Sequence, residues 1–186
     1  MKNLVLAVVM ATAAAASAEM KVGTVDLMLL VKNHPNYESN KTLLTTTDKD
    51  YQKKLETIKS EGDKLQEEGR GLAEQMRNPM LTAKAKTEVE GKLMGIQKKL
   101  MEIEQRYRSE AMRCRQDLQD LEGRLLKTTT DDLRKRINKF AEEKGYDFIF
   151  DTNAAPYSKP AYSVTDELLK AMGVDPKNAK GRDESK

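Results

Sequence analysis

Cys114 and His34 are the only cysteine and histidine in this 186-residue chain, and they limit its covalent chemistry. A lone cysteine closes no intrachain disulfide. Nucleophilic catalysis needs a base beside the thiol or hydroxyl, and a metal centre needs clustered ligands. His34, in the turn Asn33-His34-Pro35, has no second His or Cys near it to supply either. It is expected to be solvated or to cap a turn. Cys114 falls on an apolar helical stripe and is expected to pack as a small hydrophobe. Neither a cysteine pair nor a Gly-rich phosphate loop occurs in the sequence. The acids alternate with bases at i,i+4 spacing, as structural pairs do on helices. The sequence therefore argues against an enzyme and implies no metal and no cofactor.

The chemistry that remains is recognition. Residues 70–99 carry seven basic residues, Arg70, Arg77, Lys84, Lys86, Lys92, Lys98 and Lys99, against Glu74, Glu88 and Glu90. Residues 100–127 balance six basic against six acidic. A positive field is thus concentrated in one stretch, where it would steer an anionic client or the anionic surface of a membrane. Met76, Met80, Leu81, Met94 and Met101 lie in or beside the same region. Methionine is flexible and polarizable, which suits weak binding of many sequences. Met76 fits a packing register, so Met80 and Leu81 are the better contact candidates. Gly62, Gly69, Gly71, Gly91 and Gly95 also cluster here. Each costs up to about 1 kcal/mol relative to Ala in a helix, and a bendable support is expected.

That support is a pair of long helices. Leu44, Asp48, Tyr51, Leu55, Ile58, Gly62, Leu65, Gly69, Leu72 and Met76 step by 4 and 3, a coiled-coil seam within a helix from about Ser39 to Arg77. Asn78-Pro79 stops it, because proline lacks the N–H and its ring clashes with the preceding turn. A second helix runs from about Thr82, a candidate N-cap, to Lys144, with Gly145 as C-cap. Its seam is Val89, Leu93, Ile96, Leu100, Ile103, Tyr107, Ala111, Cys114, Leu118, Leu121 and Leu125, followed by a shifted stripe of Leu126, Leu133, Ile137 and Phe140. The short break at 78–81 makes the helices antiparallel. Matching small residues to large ones pairs Gly69 with Leu93, Gly62 with Leu100 and Tyr51 with Ala111.

Short strands flank the hairpin. Lys21 to Leu27, with β-branched Val22 and Val25, reads as a strand in which Gly23 permits a close approach. Tyr146 to Asp151, with Phe148, Ile149 and Phe150, alternates as a second strand. Ala161 to Val164 reads as a third, and Thr165-Asp166-Glu167 opens a final helix ending at Gly173. Residues 173–186 are polar and expected to form a flexible tail. Such strands are too few to close a sheet within one chain, so copies are expected to share edges in a small barrel. At the other end, Met1-Lys2-Asn3, the apolar run Leu4 to Ala16 and Ala16-Ser17-Ala18 have the layout of a secretory signal, residues 1–18. The apolar run is too short to span a bilayer. The fold class expected is α+β: a small intersubunit β-barrel body, residues 19–38 and 145–172, with a long antiparallel coiled-coil hairpin arm, residues 39–144, whose tip lies near 78–81.

With the opening KVGTVDL, the Lys/Glu/Gln-rich hairpin, the closing GYDFIFDTNAAPY and the following VTDELLKAM, the chain resembles the Skp (OmpH-like) periplasmic chaperone family. Gly145, Tyr146, Asp147, Asp151, Asn153, Ala154 and Tyr157 carry the closing signature. Pro156 and the glycine-rich hairpin are local departures. The resemblance implies a homotrimer whose arms enclose a cavity and hold unfolded outer-membrane β-barrel proteins in the periplasm without ATP. An anionic membrane surface or lipopolysaccharide is a further candidate partner, whereas interleaved charge and export disfavour nucleic acid. The competing reading is a structural coiled-coil envelope protein, although no anchor or wall-binding module is visible.

Overall fold

The computed structural model describes residues 20–182. The expected export segment, residues 1–18, lies outside them. The elements are β1 (Val22–Val25), α1 (Leu27–Lys32), α2 (Tyr37–Met76), α3 (Ala83–Lys144), β2 (Phe148–Asp151) and α4 (Thr165–Ala171), with single 3-10 turns at Thr152–Ala154, Pro160–Tyr162 and Pro176–Asn178.

The arm forms as the heptads require. All ten seam positions of α2 are shielded while most of their neighbours are exposed, and Ile58 is buried. On α3, Val89, Ile96 and Cys114 are buried, whereas Tyr107 stays partly in water. Thr82 caps α3, its hydroxyl accepting the Ala85 N–H at 3.3 Å. Gly145 ends it in the left-handed region with φ 67, which glycine adopts without a Cβ clash.

The pairing register differs from the expected one by a seam layer. Gly62 lies under the Ile103 Cγ2 methyl rather than Leu100, and Gly69 under that of Ile96 rather than Leu93. A Cβ built at these glycines would sit 3.4 and 3.5 Å from those methyls. The branched methyl of isoleucine projects close to its own backbone, so it reaches the facing helix best where that helix has no side chain. Polar ties fix the same register: Lys54 Nζ donates to Glu110 at 2.5 Å, Tyr51 to Asp117 at 3.4 Å, and Arg106 pairs with Glu61. The Lys54 ammonium holds the Glu110 carboxyl below its usual range, and burial, with Asp117 beside it, pushes the Tyr51 hydroxyl up.

β1 and β2 are parallel, with Val22 opposite Phe148 and Val25 opposite Asp151. Parallel strands need a long crossover, and the arm supplies it. With 62 residues against 40 in α2, α3 has 22 more (62 less 40), or about 33 Å at 1.5 Å each. That excess carries the returning chain past α1 to the start of β1. Gly23 makes the close approach expected of it, since an added Cβ would lie 3.2 Å from both the Tyr146 ring and Val164.

The body is less β-rich than its sequence suggests. The sheet has two strands, and the core comes mainly from helices: Leu29 and Leu30 of α1, Leu133 and Phe140 of α3, Leu168 and Leu169 of α4, with Val25 and Val164. One chain therefore closes part of its own interior. In place of the expected strand at 161–164 there is a 3-10 turn, Pro160–Tyr162, after which the chain meets β1 through the Thr24–Ser163 bridge, the Val164 N–H donating to the Thr24 carbonyl at 2.8 Å. Thr165 does not cap α4. Its hydroxyl instead accepts the Asp26 N–H at 3.0 Å and so ties the end of β1 to α4. Leu126 does not join the packed stripe. It is exposed, and Thr129 takes the buried place.

Two further expectations change. His34 caps its turn, one of the two expected roles, but it is buried and not solvated. Its Nδ1 accepts the Asn36 N–H at 3.2 Å, which leaves Nε2 to donate to Asp132 at 3.0 Å. Hydrogen bonds from Arg136 and His34 hold the Asp132 carboxyl below its usual range. The tail does not fray as far as it is described. Pro176 and Ala179 are buried, and the Asn33 side chain clasps the Lys180 backbone, Oδ1 accepting its N–H at 2.9 Å and Nδ2 donating to its carbonyl at 3.1 Å. Lys180 also pairs with Glu38, and Arg182 with Asp166.

Candidate functional site

The arm tip is built by the turn between α2 and α3. The Asn78 side chain accepts the Met80 N–H at 2.9 Å, and its carbonyl accepts the Leu81 N–H at 3.2 Å. This fold of the turn throws Met80 outward, 86% exposed, and leaves Leu81 half-buried. Met76 stays on the seam, half-buried, while Met94 and Met101 stand exposed on α3. Arg77, Lys84, Lys86, Lys92, Lys98 and Lys99 are exposed, and among the described residues none forms an ion pair. Arg70 pairs loosely with Glu67 at 3.4 Å on the open surface. Exposed pairs contribute little, so the tip keeps its positive field.

The five glycines fall into two kinds. Gly62 and Gly69 let isoleucine methyls close on the backbone. Gly71, Gly91 and Gly95 face open space, and so does Gly123, which the sequence reading passed over. Changing Gly71, Gly91 and Gly95 together to Ala adds no clash, and each should raise helix stability by up to about 1 kcal/mol. Thermal unfolding should report that gain. If the triple variant binds clients of every size as the parent does, these glycines supply no useful compliance.

At the other end, Phe148 and Phe150 project from β2 on one side, 50% and 48% exposed, with their rings stacked at 5.8 Å. Ile149 points the other way and is half-buried, as is Val22, while Val25 is buried. β1 lies along one edge of β2, and among the described residues the other edge of β2 has no strand partner. Between the two ends, an open groove of about 600 Å³ runs between α2 and α3, lined by Leu44, Tyr51, Leu55, Cys114 and Leu118. Among the described residues no cluster of three His, Cys, Asp or Glu side chains is placed to hold a metal. No helix among them is long and apolar enough to cross a membrane.

The family described as outer membrane protein (OmpH-like) matches residues 21–172, which takes in both strands, the whole arm and α4. The chain belongs to the OmpH-like family. It is also 29% identical over 120 residues to the chaperone protein Skp of Vibrio cholerae serotype O1 (strain ATCC 39315 / El Tor Inaba N16961), an overlap that covers 59% of this chain and 70% of that protein. Lys180, which meets Asn33 and Glu38 in this OmpH-like chain, lies beyond the family match with the rest of residues 173–182. The signal for them in the sequence was slight: Val174, Pro176 and Ala179 among polar residues and glycines.

Proposed function

We propose that the protein is an ATP-independent periplasmic holdase, which encloses unfolded outer-membrane proteins between helical arms and prevents their aggregation. Membership in the OmpH-like family and similarity to a chaperone support that class of activity. The observation that carries the reading is the arm itself. α2 has 40 residues, and Ile58 is its one buried residue among those described. A rod about 60 Å long that packs only along one seam spends its remaining surface on something other than its own core.

Copies of the chain join as a homotrimer through the β1–β2 sheet, where Phe148 and Phe150 stand exposed while Val25 and Ile149 pack inward and Val22 is half-buried, with the open edge of β2 taken up by a neighbour. The arms then project together. Lys84, Lys86, Lys92, Lys98, Lys99, Arg70 and Arg77 steer an anionic client, a membrane surface or lipopolysaccharide to the opening. Met80 and Leu81 make the first apolar contact. Affinity is the sum of many weak contacts, and no step needs a nucleotide. The leading segment, residues 1–18, directs export.

The test dilutes an unfolded outer-membrane β-barrel protein from urea and follows light scattering. A few-fold molar excess of the purified mature chain should suppress aggregation with no ATP present. Unchanged scattering would remove the holdase reading.

A further inference from the structure

We propose that an exposed flank of α3 is a binding rail for extended, acidic segments of an unfolded polypeptide, running from the distal arm toward the body. The proposal rests on the holdase reading and names the surface that does the holding.

Met94, Met101, Met112 and Leu126 are 66%, 65%, 75% and 55% exposed. They are separated by 7, 11 and 14 residues (94 to 101, 101 to 112, 112 to 126). These spacings are close to two, three and four turns of 3.6 residues, so the four side chains stand on one line. The line runs beside the seam and not in it: Met101 and Leu126 border grooves whose far wall is α2. Glu110 and Asp117 of α3 reach Lys54 and Tyr51 of α2, and Met112 points away from that side. From 94 to 126 the line is about 48 Å long at 1.5 Å per residue, the span of an extended segment of about 14 residues.

Charge identifies the occupant. On a helical wheel the charged residues within about 60° of Met94, between positions 90 and 134, are Lys98, Arg108, Arg115, Lys127 and Arg134 against Glu90 alone. Residues 100–127 as a whole are balanced, so this excess is a matter of side. Glu110 and Asp117 are turned toward α2, while Arg108 and Lys127 on the rail pair with Glu104 and Asp131 at its margin, exposed pairs that contribute little and leave the line net basic. A segment bearing acidic side chains between its apolar ones would meet methionine and arginine in turn. The apolar spacing disfavours a second copy of the arm as occupant. A helix–helix seam needs two apolar residues per heptad, and the rail supplies at most one. Sparse, flexible methionines suit a chain that slides and re-packs.

The test uses the full mature chain and an outer-membrane β-barrel protein diluted from urea. A photo-crosslinking side chain at 101 or 112 should capture that client, while one at the exposed α2 positions 53 or 57 should capture far less. The triple variant Met94→Gln, Met101→Gln, Met112→Gln should keep its thermal unfolding and weaken client binding at least tenfold. If the parent binds no client, the holdase reading falls and the rail with it. If the parent binds and the triple variant binds as tightly, or if crosslinks at 101 and 112 run between copies of the chain, the rail alone is overturned.

Discussion

Replacing Leu30 by Ala is expected to destabilise the body by about 2–5 kcal/mol, the range for removing a fully enclosed leucine and leaving a cavity. Leu30 is 0% exposed and belongs to the cluster that contains Leu133, Leu168 and Leu169. These residues come from α1, α3 and α4, so the cavity would sit where three helices meet and none could close on it alone. Small domains have only about 5–15 kcal/mol in total, and this change removes a large share. Leu43→Ala is the matched control. Leu43 is 47% exposed on α2, and its loss should stay within about 0.5 kcal/mol. Urea unfolding followed by circular dichroism separates the two. Equal midpoints for both variants would mean that the body core does not carry the fold.

A charge at Phe150 is expected to leave the single chain folded and abolish its assembly. The ring is 48% exposed and stacks only on Phe148, itself 50% exposed, so Phe150→Asp costs the isolated chain little. If this face closes against neighbouring copies, the same carboxylate becomes a buried unpaired charge at every junction, worth several kcal/mol. Losing about 4 kcal/mol lowers an association constant roughly a thousandfold. Light scattering after chromatography should then show one chain where the parent shows an oligomer, and the variant should fail to keep a client soluble. A variant that stays oligomeric would place the assembly surface elsewhere.

The arm was legible because its signal is repeated: ten positions of α2 state one periodicity, and no single misfit blurs it. Its register was not, because size matching is satisfied equally by Leu100 or Ile103 opposite Gly62. The choice turned on a branched methyl rather than on volume. Thr129 hid the continuation of the seam. Near residue 129 α3 runs out of α2 to pack against and turns to the body, where a threonine is buried instead of Leu126. The burial of His34 was missed since its partner, Asp132, lies 98 residues away in the chain. The basic tip was legible as composition, but the methionine line was not, since Met112 lies outside the basic stretch and its role depends on direction around the helix. The tail misled for a related reason. Polar residues suggest freedom, yet one asparagine holds that backbone from both sides.

That asparagine stands at a fulcrum. Asn33 separates α1 from α2, and Glu38 is the second residue of α2, so Lys180 grips the chain where the rod leaves the body. A lever about 60 Å long magnifies any slip there, since a tilt of about 10° at the root swings the far end by roughly 10 Å. The position of the tip is thereby governed by a few residues at the opposite end of the described chain.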